Sequence, residues 1–406
     1  MEIKNLDKKI RAYALKNALA YKGKARVDSV ISSLFHECLS QEDIKKCSKK
    51  ICGIVSEVNS LSCDLQKKEF EKLEKNIKVR ECREGLPELP GAKKGKVIMR
   101  FAPSPSGPFH IGHALTASLS FLFVKKYGGK FYVRIEDTNP ENIYPPAYDM
   151  IKEESNWLFD KSAEIVIQSE QMETYYKYAK KLIDKNAVYV CTCPSEEFKK
   201  FVERKSFCPC RKLTAKENLE KWKKMLDKKG YKEGEAVLRF KSDMKDKNPA
   251  MRDFPLARIN LTPHPRTKNK YRVWPLMNFA VSVDDLEMKM THVIRAKEHR
   301  DNAERQRRIH KALGKKSPWV GFLGRIHFKD LELSSSKLRK EIEEKKYSGW
   351  EDSRLPTIAS LKKRGYKPFA FWKFAERIGL SETDKVMDKE EFFKLLDFFN
   401  KEPRCD

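Results

Sequence analysis

Arg100-Phe-Ala-Pro-Ser104-Pro-Ser-Gly107-Pro-Phe-His110-Ile-Gly112-His113 stands where the sequence changes its hydrophobic period. Before it, Lys96 to Phe101 reads as a short buried strand. After it, Ala114 to Tyr127 carries Leu115, Leu119, Leu122 and Phe123 at helical spacing, and Gly128-Gly129 ends the run. The stretch therefore lies on a strand-to-helix crossover, where the helix N-terminus offers unpaired N–H groups and positive partial charge to a phosphate. Two imidazoles three residues apart stand at that entrance. Gly112 between them leaves room for a flat ring or a phosphate, and Pro103 and Pro105 stiffen the turn that carries Ser104. The pattern predicts chemistry on a nucleoside triphosphate.

Working outward, Lys130 to Ile135 reads as a second strand ending in Glu136-Asp137-Thr-Asn-Pro140. Strand, helix, strand is one crossover unit of an α/β doubly wound parallel sheet. Val273 to Asp285 and Thr291 to His299 read as the second half of that sheet. Between the halves, residues 187–272 are long, basic and cysteine-bearing, as an inserted domain would be. Residues 5 to about 80 contain no proline and look helical: Val27, Val30, Ile31, Leu34 and Phe35 share one face, and Ile44, Cys47, Ile51, Ile54, Val55 and Val58 another. Cys38, Cys47, Cys52 and Cys63 are spaced like small core residues. Glu84 to Gly95 reads as a linker. From Gly349 to Asn400 the pattern is helical again, with Ala370, Phe371, Phe374 and Ile378 on one side.

At 406 residues the chain is too long for one ordinary core. A net charge of +27 attracts polyanions, and the basic residues recur beside the chemical motifs, which points to nucleic acid. No run approaches the ~20 apolar residues that span a bilayer, so no membrane partner is expected. The first residues lack the apolar core of a signal peptide. Ten cysteines without a secretory signal point to a reducing, cytoplasmic compartment and to thiols or metal.

Arg100 closes the first strand and Arg295 a later one, and the ends of parallel strands converge on one crevice. Two guanidinium forks aimed into it would each suit the side-chain carboxylate of glutamate. Cys191-Thr-Cys193 and Cys208-Pro-Cys210 form two Cys-x-Cys knuckles, four thiolates that would fill the tetrahedral shell of a structural zinc. Nearby Lys199, Lys200, Arg204, Lys205, Arg211 and Lys212 would face an RNA backbone.

Ser104 to His113 resembles the adenylate-forming signature of class I aminoacyl-tRNA synthetases, and the lead-in Arg100-Phe-Ala-Pro-Ser104 is similar to their glutamate/glutamine branch. A helical domain ahead of the signature resembles the archaeal and eukaryotic type of glutamyl-tRNA synthetase. The resemblance implies glutamate–tRNA ligation with ATP and Mg2+, and tRNA(Glu) as partner with tRNA(Gln) as a second candidate. It implies that His110, Gly112 and His113 serve ATP, that Arg100 and Arg295 read the γ-carboxylate, and that Glu136 and Ser104 hold the α-ammonium. It also implies a second signature, for which Glu332-Leu333-Ser334-Ser335-Ser336-Lys337 is the candidate, with Ser334 and Lys337 at the phosphates. The first lysine usual there is missing. Where bacterial members carry a substrate-contacting tyrosine this chain has Met277, so Asn278 or water would have to replace that contact.

The organisation implied is an N-terminal helical domain at 1–90 and a catalytic domain in halves at 95–186 and 273–348. A zinc-bearing acceptor-stem insert occupies 187–272, and a helical stem-contact piece 349–406. The sequence stops at Asp406 without the β-barrels that read the anticodon, so it is expected to be a truncated piece of a longer chain, a naturally shortened enzyme, or half of a split protein whose separate anticodon-binding fragment is a further partner. The rival expectations are a shortened paralogue that glutamylates a modified tRNA nucleotide and an inactive RNA-binding relative.

Overall fold

The computed structural model describes residues 6–21, 23–35, 41–77, 85–331 and 333–402. The chain divides into two compact units, Met1–Arg83 and Glu84–Asp406.

The first unit is helical: α1 (Leu6–Ala20), α2 (Val27–Phe35), α3 (Gln41–Ser60) and α4 (Cys63–Leu73). Ile10, Leu15, Val30, Leu34, Ile51, Val55 and Val58 close its core, as the helical spacing predicts. The cysteines do not behave as a set. Cys47 is half-buried, whereas Cys52 and Cys63 are exposed, so these two are surface thiols rather than core residues. Ser62 caps α4 one residue before Cys63, which places that side chain on the first, outward-facing turn. Cys38 and the side chain of Phe35 fall outside the described residues.

The second unit starts with β1 (Val97–Phe101), α5 (Ile111–Tyr127), β2 (Gly129–Ile135), α6 (Ala147–Leu158), β3 (Ala163–Ile167) and α7 (Met172–Asp184). It continues through β4 (Val188–Cys191), α8 (Ser195–Glu203), α9 (Ala215–Leu226), β5 (Val237–Phe240), β6 (Pro255–Ile259), β7 (Val273–Pro275) and α10 (Met277–Glu287). Then come β8 (His292–Ala296), α11 (Arg300–Ala312), β9 (Trp319–Leu323), β10 (Ile326–Phe328), α12 (Ser335–Glu343), α13 (Ile358–Lys363), α14 (Pro368–Ile378), β11 (Lys385–Met387) and α15 (Lys389–Lys401).

β1, β2 and β3 pair in parallel, as do β8 and β9. Thr291 stitches the two sets together: its N–H donates to Ile98 O at 3.0 Å, and its hydroxyl accepts from Ile98 N at 2.9 Å. The strand order across the suture is β3-β2-β1-β8-β9, with the reversal of direction in the order between β1 and β8. A doubly wound sheet opens its ligand crevice at that point, beyond the carboxyl ends of the strands. α5 buries Leu115, Leu119 and Phe123 beneath the sheet, and α14 packs Phe371 and Phe374 into the same core.

β4, β5, β6 and β7 form a separate antiparallel sheet. Val273 to Pro275, expected in the second half of the parallel fold, is instead the edge strand of this sheet, paired to Ala257–Ile259. Its apolar run, buried throughout, suits either sheet, and periodicity alone could not decide. Among the described residues no helix is long and apolar enough to cross a membrane.

Candidate active site

The signature turn is built by local chemistry. α5 begins at Ile111, earlier than the apolar periodicity indicates, because His110 caps it: the imidazole Nδ1 accepts from His113 N–H at 3.3 Å. That acceptance puts the ring proton of His110 on Nε2. The two imidazoles stack at 3.6 Å between centroids. A Cβ on Gly112 would sit 3.1 Å from the His110 ring, so any larger residue between the histidines would press on the stacked pair. Burial drives His113 down to about 4 and His110 well below its usual range, with His113 adding to the latter shift, so both rings are neutral at pH 7.

The turn is held from two other directions. Ile111 N–H donates to Pro356 O at 3.0 Å and Ile358 N–H to Phe109 O at 2.8 Å, a short bridge to the segment before α13. The buried Glu154 of α6 accepts from Phe109 N–H at 2.6 Å. Burial raises that carboxyl to about 8 despite the bond. Gly107 lies against the second signature, where a Cβ would come within 3.0 Å of Ser335 Cβ.

A cavity of about 860 Å³ opens over the turn, and Arg100, Ser104, His110, Gly112, His113, Glu136, Arg295 and Ser334 all line it. Lys337 does not. It is exposed in the first turn of α12, where its N–H is capped by Ser334. Glu332 is outside the described residues.

The two arginines share the cavity but differ in their partners. Arg100 Nε and Nη2 already donate to Asp285 Oδ1 and Oδ2 at 2.9 and 3.1 Å, so its fork is engaged within the protein. Asp285 also accepts from Arg134 Nη1 at 2.7 Å, and Arg134 Nη2 donates to Glu136 Oε1 at 3.0 Å. Burial pushes the Asp285 carboxyl up, but Arg100 and Arg134 outweigh it and hold it well below the usual range. Among the described residues Arg295 has no carboxylate within hydrogen-bond distance. Its Nη1 donates to Gln306 at 3.0 Å, and its buried Nε has no partner. Burial and the like charge of Arg100 lower it to about 10.

Residues 96–401 match the family of class I tRNA synthetases for glutamate and glutamine, over their catalytic domain. The glutamate–tRNA ligase of Methanocaldococcus jannaschii is 45% identical over 96% of this chain and 70% of its own length. That of Pyrococcus furiosus is 45% identical over 95% of this chain and 69% of its own. The crystal structure of a glutamate tRNA ligase from Elizabethkingia meningosepticum, in complex with its amino acid, superposes with a TM-score of 0.50 at 25% identity. It matches 69% of this chain and 60% of that one.

The chain belongs to the class I glutamate and glutamine tRNA synthetases. In this synthetase the residues that escaped the sequence reading are Asp285, Arg134 and Gln306. Their only signal was a buried-looking acid in Val-Asp-Asp285, since Arg100 and Asp285 are far apart in sequence. Asn278, expected to substitute for the absent tyrosine, is buried: its amide meets Gln306 and Asn302 at 3.2 and 3.1 Å. The Met277 sulfur accepts from Gln306 Nε2 at 3.8 Å.

Apart from the cavity, Cys191, Cys193, Cys208 and Cys210 bring their sulfurs within 4.8 Å of one another. Cys191–Cys208 and Cys193–Cys210 are both 3.8 Å apart. Four sulfurs ~2.3 Å from a tetrahedral centre stand ~3.8 Å apart, whereas a disulfide would need ~2 Å, so the cluster fits zinc. The hydrogen bond with Cys191 holds the Cys208 thiol below its usual range and so favours its thiolate. Of the basic residues beside the knuckles, Arg211 does not face outward: it is paired to the buried Asp253 and donates to Ser242 O. Lys200, Arg204, Lys205 and Lys212 are exposed.

Proposed function

We infer that the chain activates L-glutamate with ATP and transfers it to the 3′-terminal adenosine of tRNA(Glu). The α-carboxylate attacks the α-phosphorus of ATP, which enters with its Mg2+, and pyrophosphate leaves. A ribose hydroxyl of the terminal adenosine then attacks the acyl carbon of the adenylate and AMP departs. The observation that carries this reading is one cavity, at the point where strand order reverses, with a phosphate-type turn on one wall and Arg295 on the other.

His110 presents Nε2–H as a neutral donor, and the positive end of α5, whose Ile111 and His113 N–H groups are already engaged, adds its dipole. Both stabilise charge on phosphate oxygens by position rather than by covalent chemistry. Glu136, held by Arg134, faces the substrate ammonium with Ser104 beside it, and Arg295 takes the γ-carboxylate. Lys337, in the first turn of α12, reaches the phosphates only when that turn moves toward the cavity. Cys191, Cys193, Cys208 and Cys210 hold a zinc that fastens β4 to the loop before α9, with no open position for catalysis. The antiparallel sheet and its exposed lysines then form the acceptor-stem surface. ATP–pyrophosphate exchange, with and without tRNA, tests the reading. Exchange should require glutamate over glutamine and aspartate, and exchange indifferent to the amino acid would overturn it.

A further inference from the structure

Arg295 is held by a chain of neutral amides. Its Nη1 donates to Gln306 Oε1 at 3.0 Å, and Gln306 Nε2 donates to Asn278 Oδ1 at 3.2 Å. Asn278 Nδ2 donates to Asn302 Oδ1 at 3.1 Å, and that oxygen also accepts from Arg305 Nη1 at 3.2 Å. Asn302 Nδ2 lies 3.0 Å from His299 Nδ1, and His299 lines the cavity. Every amide has its orientation fixed by the next. Gln306 cannot flip without setting its oxygen against Asn278 Oδ1 and the Met277 sulfur.

Charge makes this chain unusual beside its neighbours. Arg100 and Arg134 are both paired to Asp285, whereas Arg295, on the adjacent strand β8, bonds among the described residues to an amide and to no carboxylate. An amide oxygen orients a guanidinium while leaving its positive charge uncompensated. A carboxylate in the same place would orient it equally well and cancel the charge.

We propose that Gln306 is the specificity-determining positioning residue of this site: its neutral amide fixes Arg295 while keeping that cation available to select an anionic side chain. This deepens the glutamate reading above and rests on it. Discrimination between glutamate and glutamine then depends on a residue that touches neither. Two otherwise similar side chains, one charged and one not, are told apart by the charge left open in the wall.

The test compares Gln306→Glu, Gln306→Met and Arg295→Ala with wild type, in ATP–pyrophosphate exchange with tRNA present. L-Glutamine is titrated as a competitor. Gln306→Glu should raise the KM for glutamate at least tenfold, leave the KM for ATP within twofold, and reduce the preference for glutamate over glutamine by more than tenfold. Gln306→Met keeps the bulk and removes the acceptor, so it should lower that preference by a smaller factor and keeps the proposal testable should the charged variant misfold. A role in folding alone would weaken both amino acids together. An unchanged glutamate-to-glutamine ratio in a folded variant overturns the proposal. If wild type shows no preference for glutamate, or Arg295→Ala keeps it, the functional reading itself fails; a preference lost in Arg295→Ala but kept in both Gln306 variants sinks only the role of Gln306.

Discussion

Asp285→Asn is the most informative single perturbation of the buried charge network. Asp285 is 3% exposed and accepts three charge-assisted bonds, two from Arg100 and one from Arg134, at 2.7 to 3.1 Å. Asparagine has the same shape but one acceptor oxygen and no charge, so at least one bond is lost and two guanidinium groups stay buried with less compensation. Removing one partner of a buried pair costs ~3–5 kcal/mol, and the two bonds to Oδ1 that asparagine can keep place this variant near the lower end. A loss of that size lowers the melting temperature by several degrees. Because Arg100 is then unanchored at the cavity wall, the KM for glutamate should rise as well. Arg100→Met in the Asp285→Asn background removes the stranded cation and should restore part of the stability, which a double-mutant cycle measures. The sign with pH also follows. The folded-state pKa of Asp285 is depressed, so its contribution is fully present above pH ~4 and is lost only as pH falls below that. Thermal melts of the variant matching wild type at pH 7, with an unchanged KM for glutamate, would refute the reasoning.

Three further outcomes are expected. Arg295→Ala should weaken glutamate use more than tenfold while sparing ATP, as loss of a buried charge partner for the substrate implies ~2–5 kcal/mol; an unchanged KM for glutamate would remove Arg295 from the substrate site. Cys208→Ser should abolish stoichiometric zinc in metal analysis and expose 188–275 to protease, while ATP binding persists; a metal-free wild type with an intact, protease-resistant insert would contradict the assignment. Glu154 has a folded-state pKa raised to about 8, above its unfolded value of ~4.3, so the folded state loses stability as pH climbs between the two. Glu154→Gln cannot ionise, and the melting temperature of the variant should fall less than that of wild type between pH 5 and 8; parallel curves would count against a buried neutral carboxyl.

What the sequence disclosed was local. The strand, turn and helix around His110 span a continuous stretch, and each residue there acts on neighbours within a few positions, as when His110 caps the helix that contains His113. The cysteine knuckles were likewise legible, because two short spacings suffice to propose a tetrahedral set. The pairing of Arg100 with Asp285 was not, since it joins β1 to α10 across the whole inserted sheet. The neutral partner of Arg295 lies close in sequence but stayed hidden for another reason: nothing in the polar run Arg300-Asp-Asn-Ala-Glu-Arg-Gln306 marks Gln306 as its one buried member, and with it went the difference between two arginines that look alike on the page. Arg211 was misjudged for a related reason: charge predicts exposure on average, but Asp253 is buried and draws a cation inward. Val273 to Pro275 shows the remaining limit, for a short apolar strand does not announce its sheet.

The bridge between the signature turn and the segment before α13 bears on how the molecule is made. Phe109 to Ile111 leave the ribosome long before the groups that bind their backbone, at Pro356 and Ile358, which emerge only after the whole inserted sheet. Domains form as the chain emerges, and contacts of long sequence separation wait for both ends. The parallel sheet can assemble while its nucleotide wall is still open. The site is thus completed by a segment made after the inserted sheet, and a nascent polypeptide interrupted in that sheet would hold the signature residues in order without the bridge that fixes their turn.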